Sequence, residues 1–163
     1  TLSTLPGITR DAQGRPLLSP ELSQVVNLVS KADGTDVNAQ FRGVGPQAWA
    51  VHDKVKIVEG RRFAAGLREI VVGQGARSQF RDMDVGKTLT LGNQTWTVVG
   101  VFATGDAHDS ELWTDADTLA TTTASATNSD QVALRIGIIT LSTKPTANTV
   151  MNNKPCEYSG RSL

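Results

Sequence analysis

The chain has one cysteine, Cys156, in 163 residues, so no internal disulfide framework holds it together. Cys156 has no neighbouring histidine or second cysteine, which removes the usual setting of a catalytic or metal-binding thiol. Charge of one sign is also missing: 16 basic residues balance 16 acidic ones, and the densest basic spot is Arg61-Arg62. Nucleic-acid binders rely on clustered Lys and Arg to neutralise phosphates, so no nucleic-acid partner is expected. Long apolar runs are absent as well. The longest, Ile70-Val71-Val72 and Val98 to Phe102, are of strand length, far short of the roughly 18–20 residues that span a bilayer. No basic-then-apolar leader precedes them, and a start at Thr1 without an initiator Met reads as a segment of a longer protein. At this length the chain can bury roughly two thirds of its unfolded surface, enough to fold without a metal or a staple.

What is present is β-pattern. Gln24 to Val29 favours extension, Lys31 to Thr35 carries an Asp-Gly turn signal, and Val37 to Arg42 alternates apolar and polar residues. Together they predict a hairpin with Val37, Ala39 and Phe41 on one core-facing side. Ser19-Pro20-Glu21 could open a short helical turn before it. Gly43 to Pro46 then breaks the chain, and Gln47 to Val51 is read as a short helix. Val55 to Val58 and Glu69 to Gly73 are strands, and Gly75 to Phe80 is a short helix with Ala76 and Phe80 on one face. The strongest local signal is Lys87–Leu91, then Gly92-Asn93, then Gln94–Phe102: two alternating runs joined by a two-residue turn of type II′. Leu89, Leu91, Trp96 and Val98 should pack on its common side. Glu111 to Trp113 is a further strand, and Asp115 an N-cap for a helix through Leu119. Ala120 to Asp130 is low in complexity and expected to be a mobile loop, with one more strand from Gln131 toward Leu141. The class is β-rich α+β, with mixed or antiparallel sheets and few short helices.

Chemistry is sparse. Asp106-Ala107-His108-Asp109-Ser110-Glu111 offers an imidazole and three carboxylates, but zinc favours several N or S ligands and the other histidine, His52, is remote in sequence. The spacing of a calcium loop is missing too, so a solvated loop without metal is expected. Gly73-Gln74-Gly75-Ala76 lacks the third small residue of a dinucleotide fingerprint, which falls on Ser78. Gly86-Lys87-Thr88 matches the end of a P-loop, yet Arg81 stands where its first glycine belongs and a strand follows. There is no Gly-x-Ser-x-Gly nucleophile elbow. Trp49, Trp96 and Trp113 sit in apolar contexts that suit a core better than a carbohydrate platform. Catalytic, cofactor-binding and metal-binding residues are therefore not assigned.

One ordered set of blocks carries a resemblance. It comprises Val55-Lys56-Ile57-Val58-Glu59-Gly60-Arg61-Arg62-Phe63, Arg68-Glu69-Ile70-Val71-Val72-Gly73, Asp84-Val85-Gly86-Lys87-Thr88-Leu89, Trp96-Thr97-Val98-Val99-Gly100-Val101-Phe102 and Ser110-Glu111-Leu112-Trp113. In order and spacing it resembles the MacB-like periplasmic core domain of ABC-transporter permeases, as do the upstream run from Pro6-Gly7-Ile8 through Val26-Asn27-Leu28 and then Arg42-Gly43-Val44. The resemblance implies a bacterial inner-membrane parent protein with this domain on the periplasmic side. It implies two parts, a membrane-proximal β-α-β subdomain of residues 1–44 plus 124–163, incomplete here, and a β-rich insertion of 45–123. It also implies a non-catalytic role with no cofactor in the domain, ATP being handled by a separate nucleotide-binding subunit or domain. A dimeric parent follows, with a periplasmic adaptor, lipoprotein or peptide as possible partners. The partner-binding residues expected are Ala64, Ala65 and Gly66 in one loop and Gly105, Asp106, His108 and Asp109 in another, since both interrupt strands with small and polar residues. The alternative is a free-standing β-rich module that binds carbohydrate or protein; membrane helices flanking the domain in the full-length protein would distinguish the two.

Overall fold

A computed structural model describes residues 10–125 and 135–141. Eight strands and three α-helices follow one another as β1 (Leu18–Val29), β2 (Asp36–Val44), α1 (Ala48–Val51), β3 (Lys56–Gly60), β4 (Glu69–Gly73), α2 (Gln74–Gln79), β5 (Thr88–Leu91), β6 (Gln94–Ala103), β7 (Leu112–Asp115), α3 (Ala116–Ser125) and β8 (Arg135–Leu141), with a 3-10 turn at Ala107–Ser110 between β6 and β7. The strands form one mixed sheet in the order β3-β6-β4-β7-β2-β1-β8, with β5 pairing the far end of β6. Two pairings are parallel, β4 with β6 and β2 with β7; the others are antiparallel. The fold is the expected strand-rich α+β class. Cys156 and the other residues after Leu141 lie outside the described residues.

The β5–β6 hairpin forms where the alternation placed it, with Leu91 paired to Gln94 across Gly92-Asn93. Gly92 has φ +61°, and among the described residues Asp82 is the one non-glycine at positive φ, so Asn93 keeps the negative φ that a type II′ turn requires. In the β1–β2 hairpin Ala39 and Phe41 are buried but Val37 is 41% exposed, contrary to expectation. The cause is topology: β7 pairs with β2 only from Phe41 to Val44, so at Val37 only β1 lies alongside. Ser19-Pro20-Glu21 is extended rather than helical. Pro20 is tolerated because its missing N–H precedes the β2 ladder, whose first pair is Glu21 with Val44, and the β8 register shifts just after Glu21.

Helix α3 also departs from expectation by running through Ser125, so Ala120 to Ser125 is helix and not loop. Asp115 caps it as predicted, Oδ2 accepting from Thr118 N at 3.0 Å and Thr118 Oγ1 at 2.7 Å. The hydroxyls of Thr121 and Thr122 then bond back to the Thr118 carbonyl, so these helix-neutral residues satisfy themselves within the turn.

Alternation along the strands divides the core between two faces of the sheet. Phe41, Ile70, Val72, Trp96, Val98 and Leu112 pack on one face against Ala76 of α2 and Leu119 of α3. Val44, Val71, Phe102 and Trp113 pack on the other against Ala48 of α1, with Trp49, Ile57 and Phe63 half-buried around them. The second face carries the functional candidates.

Candidate functional site

The first expected loop, between β3 and β4, is tied down at its base. Arg61 makes a two-pronged bond to Glu69 at 2.8 and 2.6 Å, and Ala64 N donates to the same carboxylate at 2.9 Å. The Arg61 bond holds the Glu69 carboxyl below its ordinary range. Ala64 is half-buried while Ala65 and Gly66 are exposed, beside Leu67 at 52%. From this loop Arg62 lies over the Trp49 ring, 4.6 Å from its centroid, and Phe63 sits 5.7 Å from the same ring.

The second loop, between β6 and β7, folds inward on its own carboxylates. Asp109 accepts from Thr104 N at 2.6 Å and Gly105 N at 3.0 Å. Asp106 accepts from Thr104 Oγ1 at 2.6 Å, His108 N at 2.9 Å and His108 Nδ1 at 2.8 Å. Those bonds, the Thr104 hydroxyl foremost, hold Asp106 far below the usual carboxylate range. The loop main chain presses on the start of α2: a Cβ on Gly73 would stand 2.1 Å from the Asp109 carbonyl oxygen, an approach only glycine permits.

Trp113 joins the two loops. Its fully buried indole contacts Phe102, His52, His108 and Trp49, with ring centroids 5.0, 5.1, 5.8 and 6.0 Å away. The first loop therefore reaches Trp113 through Phe63 and Trp49, and the second directly through His108. The same centre brings His52 to 5.5 Å from His108, centroid to centroid, closing the distance that made the pair look unrelated in sequence.

Beneath these rings runs a chain of buried charge that sequence reading missed. His52 Nε2 is 2.5 Å from Glu21 Oε1, and Arg42 Nη1 donates to Glu21 Oε2 at 2.8 Å. Arg42 Nε and Nη2 donate to the two oxygens of Glu111, both at 2.8 Å, and Trp113 Nε1 adds a bond to Glu111 Oε2 at 2.8 Å. Glu21 comes from β1, Arg42 from β2, Glu111 from just before β7 and His52 from just after α1. The side chains are 1% exposed for Glu21 and 11% for both Arg42 and Glu111, so these bonds form in a partly dehydrated setting where each is strong. Burial pushes the Glu21 carboxyl up, but the bonds from His52 and Arg42 outweigh it and leave the group below its ordinary value. The Glu111 bond in turn raises the Arg42 guanidinium. Alternation alone could assign Arg42 to a solvent-facing position, because it shares its side of β2 with Gln40. Only strand pairing shows two carboxylates waiting for it.

The family model of the MacB-like periplasmic core domain matches residues 6–151. The chain belongs to this family. Solved structures agree at the level of fold. The periplasmic region of MacB from Actinobacillus actinomycetemcomitans is 19% identical, with 91% of this chain and 64% of that chain covered and a TM-score of 0.57. The extracellular domain of the noncanonic ABC-type transporter YknZ from Gram-positive bacteria is 17% identical, with 84% and 70% covered and a TM-score of 0.52. The chain thus spans less than two thirds of the MacB region it matches. No curated protein sequence matches it. The chain is thus a MacB-like periplasmic core domain, and the main sequence blocks that carried the resemblance are β3 to β7, the strands surrounding Trp113. His52 lies outside those blocks.

The buried chain of charge gives the MacB-like domain a defined acid response. A carboxyl whose folded pKa is lowered stabilises the fold above its unfolded value and loses that contribution as pH falls through the folded one. For Glu21 the loss begins below its ordinary 4.5. Thermal melts of the wild type and Glu21→Gln should therefore differ most at neutral pH and converge as pH falls below 4.5. A constant gap across that range would show that Glu21 contributes nothing through its charge.

Proposed function

We propose that this domain is a non-catalytic transmission and partner-binding module, working with an ATPase subunit or domain that hydrolyses ATP elsewhere in the permease. The family match over residues 6–151 carries the reading. Dimerisation of the parent and the partner classes named above, an adaptor, a lipoprotein or a peptide, belong to the same proposal, and no cofactor is assigned to the domain for its transport role. The division into a membrane-proximal part and an insertion of 45–123 is supported by sheet order, since β2, β1 and β8 are adjacent at one end of the sheet. The segment Gly86-Lys87-Thr88 leads into β5, a strand, where a nucleotide-binding loop would lead into a helix.

The partner face is assigned to the two loops that converge on Trp113. Ala65 and Gly66 are exposed on one side and Asp106 on the other, while the aromatic centre between them supplies a rigid base. Ala65→Arg and Asp106→Arg in the intact permease should lower transport or partner capture. Ala65→Arg should leave the isolated domain's melting temperature within about 2 °C, since it alters an exposed position without a side-chain bond. Full transport with both substitutions would move the contact to the membrane-proximal part.

A further inference from the structure

We propose that His52 and His108 form a two-imidazole site for a divalent first-row transition ion, zinc or copper(II). The expectation of a metal-free loop rested on the shortage of N or S ligands, the missing calcium-loop spacing and the remoteness of His52 in sequence, and the fold removes that remoteness. Each imidazole is oriented by a carboxylate on one nitrogen: His52 Nε2 meets Glu21 Oε1 at 2.5 Å, and His108 Nδ1 meets Asp106 Oδ1 at 2.8 Å. Glu21 is itself held by Arg42, and Asp106 by Thr104. His52 Nδ1 and His108 Nε2 make no hydrogen bond to the described residues. A carboxylate on the far nitrogen is how metal-binding histidines are fixed in tautomer and made more basic.

Spacing agrees with a shared ion. With a metal–nitrogen distance of about 2.0–2.1 Å and a ring centroid about 1.1 Å behind the nitrogen, two imidazoles on one tetrahedral ion have centroids about 5.2 Å apart. Here the separation is 5.5 Å. Charge agrees too. Glu21 and Glu111 share one guanidinium, Arg42, and Asp106 adds a third carboxylate beside His108, so carboxylates outnumber the guanidinium around the two imidazoles and favour a cation. The side chains of His52 and His108 are 12% and 31% exposed, so an ion can reach them while losing part of its water. Among the described residues no group of three His, Cys, Asp or Glu is placed to hold a metal. Two protein nitrogens would therefore bind the ion and leave its other positions to water or to a donor from outside, an open site rather than a closed structural one.

The inference does not depend on the partner-binding reading, because the isolated chain and the ion alone test it. The protein is stripped with EDTA and titrated with ZnCl2 and, separately, CuCl2, following heat and tryptophan emission. The expected result is one equivalent bound, with copper quenching the emission of the tryptophan cluster. His52→Gln and His108→Gln should each weaken binding by at least about tenfold, and Asp106→Asn by a smaller factor. Circular-dichroism melts of each variant separate loss of ligand from loss of fold; should His52→Gln unfold the domain, His108→Gln decides alone. Wild-type protein that shows no saturable binding, or His108→Gln with wild-type affinity, overturns the site.

Discussion

Arg42→Met is expected to destabilise the domain by about 3–5 kcal/mol in urea unfolding at neutral pH, the range for breaking a buried ion pair from one side. The guanidinium bonds Glu21 and Glu111 at once, with all three contacts at 2.8 Å. Its removal leaves two carboxylates in a nearly dry setting, the Glu21 side chain at 1% exposure and Glu111 at 11%. Met fills much of the volume, so the loss reports charge more than packing. Arg42→Lys keeps the charge but lacks the planar fork that meets Glu111 with two parallel bonds, and should fall between Met and wild type. A companion variant with Glu21→Gln and Glu111→Gln added to Arg42→Met should recover part of the loss, because neutral amides cost less to bury than ions. A loss below about 1 kcal/mol for Arg42→Met would mean that the carboxylates reach water and that the chain is a surface feature.

Trp96→Ala is expected to cost about 3–5 kcal/mol, as large-to-small changes of core aromatics do. Trp96 is 1% exposed and meets Phe41 edge to face, with centroids 5.1 Å apart and planes at 88°. It lies on β6 and Phe41 on β2, with β4 and β7 between their strands in the sheet order. The pair thus links the end of the sheet built from β3 to β7 with the end built from β1, β2 and β8, and the cavity left by the indole would open between them. Chemical denaturation of the isolated chain measures the loss. A value below about 1 kcal/mol would show that neighbours collapse into the space or that the indole is wet.

Local chemistry was enough for the elements that need only local causes. The hairpin across Gly92-Asn93, the strand Glu69–Gly73, the short helix α2 and the Asp115 cap each depend on a turn residue, an alternation or one side-chain bond. All four form as read. The departures are at places where a neighbour decides. Val37 alternates like Ala39 and Phe41 but has no β7 beside it. Pro20 reads as a helix start, yet β8 supplies a pairing strand at the position where a proline is tolerated. Residues 120–125 look like a linker because Thr and Ser are helix-neutral, and α3 persists because Leu119 is buried against the sheet and the threonines bond back within the turn.

The site divides the same way. Which loops interrupt the strands around Ala65 and Asp106 is a property of the sequence, as are the absence of a nucleophile elbow, of a P-loop and of a charge excess. Patterns of that kind are set within a dozen residues and survive any topology. That both loops end on Trp113 was decided by the tertiary structure, as was the approach of His52 to within 5.5 Å of His108. The burial of Arg42 between Glu21 and Glu111 belongs with them. Arg42 with Glu21 and Glu111, and His52 with His108, are far apart in the chain, and the parallel pairing of β2 with β7 sets Arg42 beside Trp113. A charged residue in an alternating strand reads as solvent-facing until the strand beside it is known, and that pairing is a long-range choice no local pattern encodes.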